Sequence, residues 1–461
     1  MNPNRRRLLA TSLASAAAAA AGVPSSSANA ATPKKTAAAA AAGSVLAPTP
    51  PMGWNSWNSF GPTITEAQAL ENADIMVAKL LPSGYNVFTV DIQWYEPNAN
   101  SYTYRKDAEL TMDQYGRLQP APNRFPSAAG GAGFKKLADQ IHKRGMKFGI
   151  HLMRGIPRQA VQKNTPILGT NLHAQDIADT KAICEWNGDM YGVDMTKPGA
   201  QEYYNSVFKQ YAEWGVDFVK MDDMSRPYER NWPEVEAAHK AIAASGRPII
   251  LSLSPGEMDL RWDRHVPHYA QMWRISDDFW DEWRLLEEQF QRLENWNPVL
   301  GPGSWPDADM LPLGRLALGA RDTKFTPDEQ QTLMTLWGIA RSPLIMGGDL
   351  RHLDAKTLAL LTNPEVLAVN QRSRENRPQR ADAGTRIWSA RSADQNDLQY
   401  LALFNTSNAP VDFAFDLSRL NLGNRAVAVR DLWARHDLGT ARGKINATVP
   451  PHGSVLYGLK A

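Results

Sequence analysis

AQEYYNSVFKQYAEWGVDFVKMD, residues 200–222, contains one full repeat of the fold. Tyr203, Tyr204, Val207, Phe208, Tyr211 and Trp214 recur at spacings of three and four, the period of a helix with one buried side. The short apolar run that follows, Phe218 to Asp222, reads as a strand buried in a parallel sheet. Outward from this stretch the same alternation extends from Pro50 onward. Strands are predicted at Met52 to Trp57, Val87 to Trp94, Lys147 to Met153, Phe218 to Asp222, Ile249 to Ser254, Gln271 to Ile275, more weakly near Ser304, and at Pro343 to Gly347. Between them Thr65 to Leu80, Gly133 to Arg144 and Pro233 to Ala244 also carry the helical period. Thr326-Pro327-Asp328-Glu329 adds a capping box at a further helix start. Eight strands alternating with helices predict an α/β fold, a (β/α)8 TIM barrel over residues 49–370. No Gly-x-Gly-x-x-Gly turn follows the first strand, which disfavours a dinucleotide-binding sheet.

Beyond Asn370 the rhythm changes. Thr385 to Ala390, Leu398 to Phe404, Val411 to Phe415, Ala426 to Leu432, Ile445 to Val449 and Ser454 to Leu459 are short alternating runs parted by Asn, Asp, Gly and Pro. They predict a C-terminal antiparallel β-sandwich domain over residues 371–461. At the other end, Arg5-Arg6-Arg7 precede an Ala/Leu-rich run, and Ala28-Asn29-Ala30 offers a small-x-small cleavage site. Residues 1–30 therefore read as an export signal, of twin-arginine type or, alternatively, of the general secretory type. Residues 31–48 read as a disordered Ala/Pro/Lys/Thr linker, and the exported protein is expected in a periplasm or outside the cell.

Lys+Arg 50 against Asp+Glu 48 gives a formal net charge of +2, which falls slightly below zero without Arg5, Arg6 and Arg7. No field of that size attracts nucleic acid or an anionic membrane. No run after the signal is long and apolar enough to span a bilayer. The single cysteine, Cys184, excludes a disulfide framework and reads as a small buried hydrophobe. No His/Asp/Glu cluster has metal-ligand spacing, so neither metal nor cofactor is expected.

Barrel chemistry sits where strands end. Those ends carry Trp57, then Asp91 and Trp94, then His151, Lys220 with Asp222, Ser252 with Ser254, Arg274 with Asp277 and Asp278, and Trp305 with Asp307 and Asp309. Glycoside hydrolysis needs two carboxyl groups, one to attack the anomeric carbon or activate water and one to protonate the leaving oxygen. Lys220 and Asp222, two apart on a strand, share a face, and the ammonium favours the ionised carboxylate that a nucleophile requires. A lone acid at a strand end usually caps a helix or pairs with an arginine. Acids, a lysine, an arginine and tryptophans converging on one rim point instead to a sugar-cleaving site. Spacing leaves Asp277 and Asp278 equivalent as the second acid. Asp307 and Asp309 read as groups that orient neighbours by hydrogen bonds. Glu185-Trp186-Asn187 and Asp189 either line the aglycone side or tie down a loop.

Five motifs, in order, carry a resemblance. They are Pro51-Met52-Gly53-Trp54-Asn55-Ser56-Trp57; Asp113 to Leu118 with Asn123-Arg124-Phe125-Pro126; Lys220-Met221-Asp222; Trp273 to Asp278; and Trp305 to Leu311. With Asp431-Leu432-Trp433 and Val449 to Gly453 in the sandwich, the chain resembles glycoside hydrolase family 27, the melibiase-type α-galactosidases. The resemblance implies a retaining glycosidase, first of all an α-galactosidase that releases terminal α-linked D-galactose from oligosaccharides or polysaccharides by double displacement. The family's nucleophile matches Asp222, with Met221 replacing the usual aromatic. Its acid/base matches Asp278, with Asp277 as the fallback. Its sugar contacts match Trp57, Asp91, Lys220 and Arg274, and Trp94, His151 and Ser254 complete the expected substrate pocket. Retention of both acids speaks against a sugar-binding barrel that has lost catalysis.

The departures bear on the glycone. Family members usually carry two consecutive acids after the second strand, and here the second is Ile92, which cannot accept a hydrogen bond from the 4-OH and 6-OH region of galactose. His151 stands where a tyrosine is common, and Ser252-Leu253-Ser254-Pro255 where many members have Cys-Glu-Trp. The same family includes β-L-arabinopyranosidases, whose sugar is galactose without its hydroxymethyl group, and isomaltodextranase-like members. A retaining enzyme of this kind with a changed glycone pocket is the alternative reading.

Overall fold

The computed structural model describes residues 45–461. The expected signal at 1–30, and the linker as far as residue 44, lie outside the described residues. The last linker residues, 45–48, do not run free. Ala47 is buried, and its carbonyl accepts hydrogen bonds from Gly303 N at 3.0 Å and Trp305 Nε1 at 2.7 Å.

Eight parallel strands form the barrel: β1 (Met52–Asn55), β2 (Val87–Val90), β3 (Lys147–Met153), β4 (Phe218–Asp222), β5 (Ile250–Leu253), β6 (Met272–Arg274), β7 (Trp305–Asp307) and β8 (Leu344–Met346). Strands β1 to β7 pair in chain order, and β8 returns to pair with β1. Strands β7 and β8 share no ladder; in the segment after β7, Leu311 pairs with β8 instead, its N–H donating to Ile345 O at 2.7 Å and its carbonyl accepting from Gly347 N at 3.0 Å. Crossing at β1 and β2 is close: a Cβ on Gly53 would lie 2.1 Å from Val87 O, so only glycine fits.

Strand parity explains how one barrel holds both an apolar floor and a polar top. Side chains two apart face the same way. The first inward residues, Val87, Phe218, Ile250, Met272 and Trp305, cluster with Ala47 into an apolar floor. Two residues further on come Thr89, Lys220, Ser252, Arg274 and Asp307, and beyond them Asp91, Asp222 and Ser254. Intervening residues face the helices. Trp273, for example, packs on Trp296 with ring centroids 5.7 Å apart.

Helices α1 (Glu66–Lys79), α2 (Lys135–Lys143), α3 (Ala200–Trp214), α4 (Tyr228–Ser245), α5 (Trp283–Trp296) and α6 (Pro327–Ala340) cover the barrel. Both bonds of the expected capping box form, Glu329 N to Thr326 Oγ1 and Thr326 N to Glu329 Oε2. Helix α4 starts five residues before the predicted Pro233 and carries that proline inside. Between β3 and β4 the chain adds a small three-stranded sheet (Ile156–Pro157, Ala178–Ile183, Met190–Val193) that sequence periodicity did not mark.

The sandwich sets a six-stranded sheet against the pair Val411–Asp416 and Lys444–Val449. All six predicted runs are strands. Two more, Ser373–Gln379 and His436–Ala441, form the two edges of the larger sheet. Phe413, Phe415, Leu401, Leu403 and Ile445 fill the space between the sheets. Helix α6 docks the sandwich: Thr332 Oγ1 donates to His452 O at 2.7 Å, and Trp433 Nε1 donates to Thr335 Oγ1 at 2.9 Å. Among the described residues no helix is long and apolar enough to cross a membrane.

Candidate active site

A cleft of about 700 Å³ opens at the carboxyl ends of the strands, lined by Trp57, Asp91, Ile92, Tyr104, Lys220, Asp222, Asp277 and Asp278 among others. Asp222, the last residue of β4, is buried and has both oxygens engaged. His151 Nε2 lies 2.9 Å from Oδ2, and Ser254 Oγ donates to Oδ1 at 2.9 Å. Burial opposes ionisation. The hydrogen bond from His151, the Lys220 charge and the Ser254 hydroxyl outweigh it, and the carboxyl pKa drops to about 2. Asp222 is therefore a carboxylate at any ordinary pH.

Lys220, one inward position below, donates to Asp91 Oδ2 at 3.0 Å. Asp91 also accepts from Asn55 Nδ2 at 2.7 Å and, through Oδ1, from Ile92 N at 2.8 Å. Burial alone would push Lys220 toward neutrality, but Asp91, Asp222 and Asp278 hold its pKa above the ordinary value. A buried ion pair so fully hydrogen-bonded fixes its side chains rigidly.

On the other side, Arg274 Nη2 reaches Asp278 Oδ1 at 3.3 Å and Nη1 reaches Asp309 Oδ1 at 2.7 Å. Asp278 is half exposed at 50%, open to the cleft, whereas Arg274 and Asp309 are buried behind it. Asp309 also accepts from Phe279 N and Met310 N, each at 2.7 Å, and Asp307 accepts from Asp309 N at 2.9 Å. Asp309 thus orients both backbone and arginine, and Asp307 orients backbone, as groups that hold their neighbours by hydrogen bonds. Asp277 is occupied elsewhere, held by Arg226 at the rim through contacts of 2.9 and 3.1 Å.

The predicted catalytic and substrate residues separate into three groups. Trp57, Asp91, Lys220, Asp222 and Asp278 line the cleft. His151, Ser254 and Arg274 are buried one layer behind and act on the carboxyl groups in front of them. Trp94 is a correction: it is fully buried among Tyr95, Phe134 and Trp214, with its Nε1 donating to His151 O at 2.9 Å. Strand β2 ends at Val90 and the chain turns at Asp91, so strand parity no longer governs position 94. Sequence reasoning missed Tyr104, a half-buried cleft residue in a stretch without period. Burial first, and then Asp222, Asp91 and Asp278, raise its pKa, so the phenol keeps its proton. The Glu185 to Asp189 segment divides: Glu185 and Trp186 line the cleft, while Asp189 pins the loop through Gln93 and Tyr95.

An ionised, positioned carboxylate facing a second, solvent-reaching carboxyl across an aromatic-walled cleft can cleave a glycosidic bond. Comparison with known proteins agrees. The sequence model of the family described as Alpha galactosidase A matches residues 49–197 and 193–372, and that of the Alpha galactosidase C-terminal beta sandwich domain matches residues 382–459. A glycoside hydrolase family 27 β-L-arabinopyranosidase from Geobacillus stearothermophilus, solved in complex with arabinose, is 50% identical with a TM-score of 0.88, covering 90% of this chain and 98% of that one. The α-galactosidase of Coffea arabica is 31% identical over 424 residues, 90% of this chain and 94% of that protein. That of Cyamopsis tetragonoloba is 29% identical, over 90% and 87% respectively. With the family models spanning barrel and sandwich alike, the chain belongs to glycoside hydrolase family 27 and is a glycosyl hydrolase.

Proposed function

We propose that the protein is a retaining glycosidase whose preferred glycone is a terminal β-L-arabinopyranoside, with the α-D-galactoside second. Asp222 attacks the anomeric carbon while Asp278 protonates the departing oxygen. A glycosyl-Asp222 ester results. Asp278, now a carboxylate, takes a proton from water, which displaces Asp222 and restores the original anomeric configuration. Trp57 offers its face to the sugar, and Asp91 and Lys220, locked together, address ring hydroxyls.

The observation that carries the choice of glycone is Ile92. It is 1% exposed yet walls the cleft beside Asp91, at a place where family members usually supply an acid. A hydroxymethyl group there meets a methyl surface and loses its acceptor, while a pentopyranose, which lacks that group, loses nothing. The 50% identical relative named as a β-L-arabinopyranosidase supports this order, and the curated α-galactosidases at 26–31% identity support the second reading. Export, supported by the arginine pair at Arg5 and Arg6 ahead of an alanine-rich run, places the activity outside the cytoplasm.

The test is hydrolysis of p-nitrophenyl β-L-arabinopyranoside, α-D-galactoside, α-D-glucoside and α-N-acetylgalactosaminide, with Asp222→Asn beside the wild type. The expected result is a highest kcat/KM for the arabinopyranoside and a loss of about 10⁴-fold or more in the variant. A clear preference for the galactoside would overturn the glycone assignment, and an active Asp222→Asn would overturn the mechanism.

A further inference from the structure

The cleft continues beyond the carboxylates into a wall that the bond-breaking chemistry does not use. Among the described residues Trp186 and Ile183, 38% and 45% exposed, are two of the few large apolar side chains open to solvent, and both line this cleft with Tyr104. A single exposed indole on a free loop would mean little. Here the loop is pinned. The buried carboxyl group of Asp189 accepts hydrogen bonds from Gln93 Nε2 and, at 3.2 Å, from Tyr95 Oη, while its N–H donates to Asn187 Oδ1 at 2.8 Å. Its carbonyl accepts from Arg158 N at 2.8 Å, and Arg158 Nε reaches Gly188 O at 3.0 Å. A buried carboxyl group persists only with such partners, and these ones fix residues 187–189 against the loop after β2.

The pinned loop sets the Trp186 ring 5.7 Å from Tyr104, tilted by 44°, and Tyr104 lies 6.0 Å from Trp57 with the planes 13° apart. Three aromatic rings therefore run from the glycone position outward along one side. The cleft volume, about 700 Å³, is several times that of one pyranose ring, so space remains beyond the reacting sugar.

We infer that Trp186, together with Tyr104 and Ile183, is the aglycone-binding wall, and that it selects leaving groups bearing a ring with an apolar face, an aryl group or a second pyranose, over small alkyl groups. The inference rests on the proposed placement of the glycone between Trp57 and Asp222, and is independent of which glycone that is. Aromatic stacking favours such a ring and leaves a methyl aglycone without a partner.

Thioglycosides, which bind without turnover, test this directly. p-Nitrophenyl and methyl 1-thio-β-L-arabinopyranosides, and the corresponding 1-thio-α-D-galactosides, are titrated calorimetrically into wild type, Trp186→Ala and Trp186→Phe. In Trp186→Ala the aryl compound of whichever glycone binds should weaken about 10-fold and the methyl compound by no more than about twofold, and Trp186→Phe should recover most of the loss. Equal weakening of aryl and methyl compounds would overturn the inference by making Trp186 a support of the glycone pocket. Unchanged aryl binding would overturn it by placing the aglycone elsewhere. If only galactosides bind, the glycone assignment fails while the aryl-to-methyl comparison still decides the role of Trp186.

Discussion

His151 Nε2 lies 2.9 Å from Asp222 Oδ2, and the other ring nitrogen, Nδ1, is buried with no partner. With nothing to receive a proton from Nδ1, the ring is arranged to present an Nε2–H to the carboxylate. The histidine replaces the tyrosine common at this place in the family, so an imidazole performs the positioning of Asp222.

Removing that donor should change the pH profile rather than merely the rate. A hydrogen bond to a charged acceptor contributes about 1.5–3 kcal/mol, equivalent to roughly 1–2 pH units. The ionised form of Asp222 is favoured in the folded protein, and this advantage disappears as pH falls through about 2. In wild type the nucleophile therefore imposes no acid limb on kcat/KM above about pH 3. In His151→Ala a limb should emerge, shifted upward by roughly 1–2 pH units. A variant that is slower at every pH with an unshifted limb would make His151 a packing residue only.

Ile92→Asp should move the glycone preference. An added acceptor beside Asp91 offers a partner to the galactose hydroxymethyl and nothing to a pentopyranose. The ratio of kcat/KM for α-D-galactoside over β-L-arabinopyranoside should rise about 10- to 100-fold, since sites that lose or gain a single hydrogen-bonding partner discriminate on that scale. Ile92→Ala, which enlarges the pocket without adding an acceptor, is the control. If it shifts the ratio as far as the aspartate does, volume rather than hydrogen bonding governs the choice.

Asp278 and Asp277 are adjacent in sequence, but only Asp278 contacts Arg274, while Asp277 is taken by Arg226. Asp278→Asn should lower kcat/KM on methyl glycosides by about 10²–10⁴-fold, the range for loss of a general acid, and lower it far less on p-nitrophenyl glycosides, whose leaving group needs little protonation. Asp277→Asn should stay within about tenfold on both, because it breaks only an exposed ion pair. Reversal of these two outcomes would exchange the roles.

The barrel was legible because parity and period leave marks in sequence. In Phe218-Val219-Lys220-Met221-Asp222 the inward and outward faces can be told apart by eye, and Lys220 and Asp222 do share a face. The sandwich edges left no such mark. Ser373–Gln379 is polar throughout and His436–Ala441 is largely exposed, as edge strands that resist further pairing usually are, so no apolar alternation announces them. Trp94 was misplaced because an apolar run does not show where a strand ends. Tyr104 was missed because its stretch has neither period nor motif, and only the fold brings it beside Asp222. The pairing of Asp189 with Gln93 and Tyr95, residues nearly a hundred positions away, is likewise a property of the folded chain.

The acids behind Asp278 should leave a signature in stability. One guanidinium, that of Arg274, faces three carboxyl groups, Asp278, Asp307 and Asp309. It cannot neutralise all three, and the site takes up a proton. Burial first, with Asp278 and Asp307 adding to it against the opposing charge of Arg274, raises the pKa of Asp309 to about 7. Burial likewise raises that of Asp307. In the unfolded chain Asp309 releases its proton near 3.8, so between that pH and about 7 the folded state holds a proton that the unfolded state has lost. The contribution is then fully present below the unfolded pKa and lost as pH rises through about 7, the opposite sign to Asp222. Asp309→Asn keeps an oxygen for Phe279 N or Met310 N and cannot titrate. Calorimetric Tm measured from pH 4 to 8 should therefore fall less steeply with pH in Asp309→Asn than in wild type. Parallel curves would mean that Asp309 is already ionised at pH 4, that Arg274 serves it first, and that the buried Asp307 is the group that holds the proton.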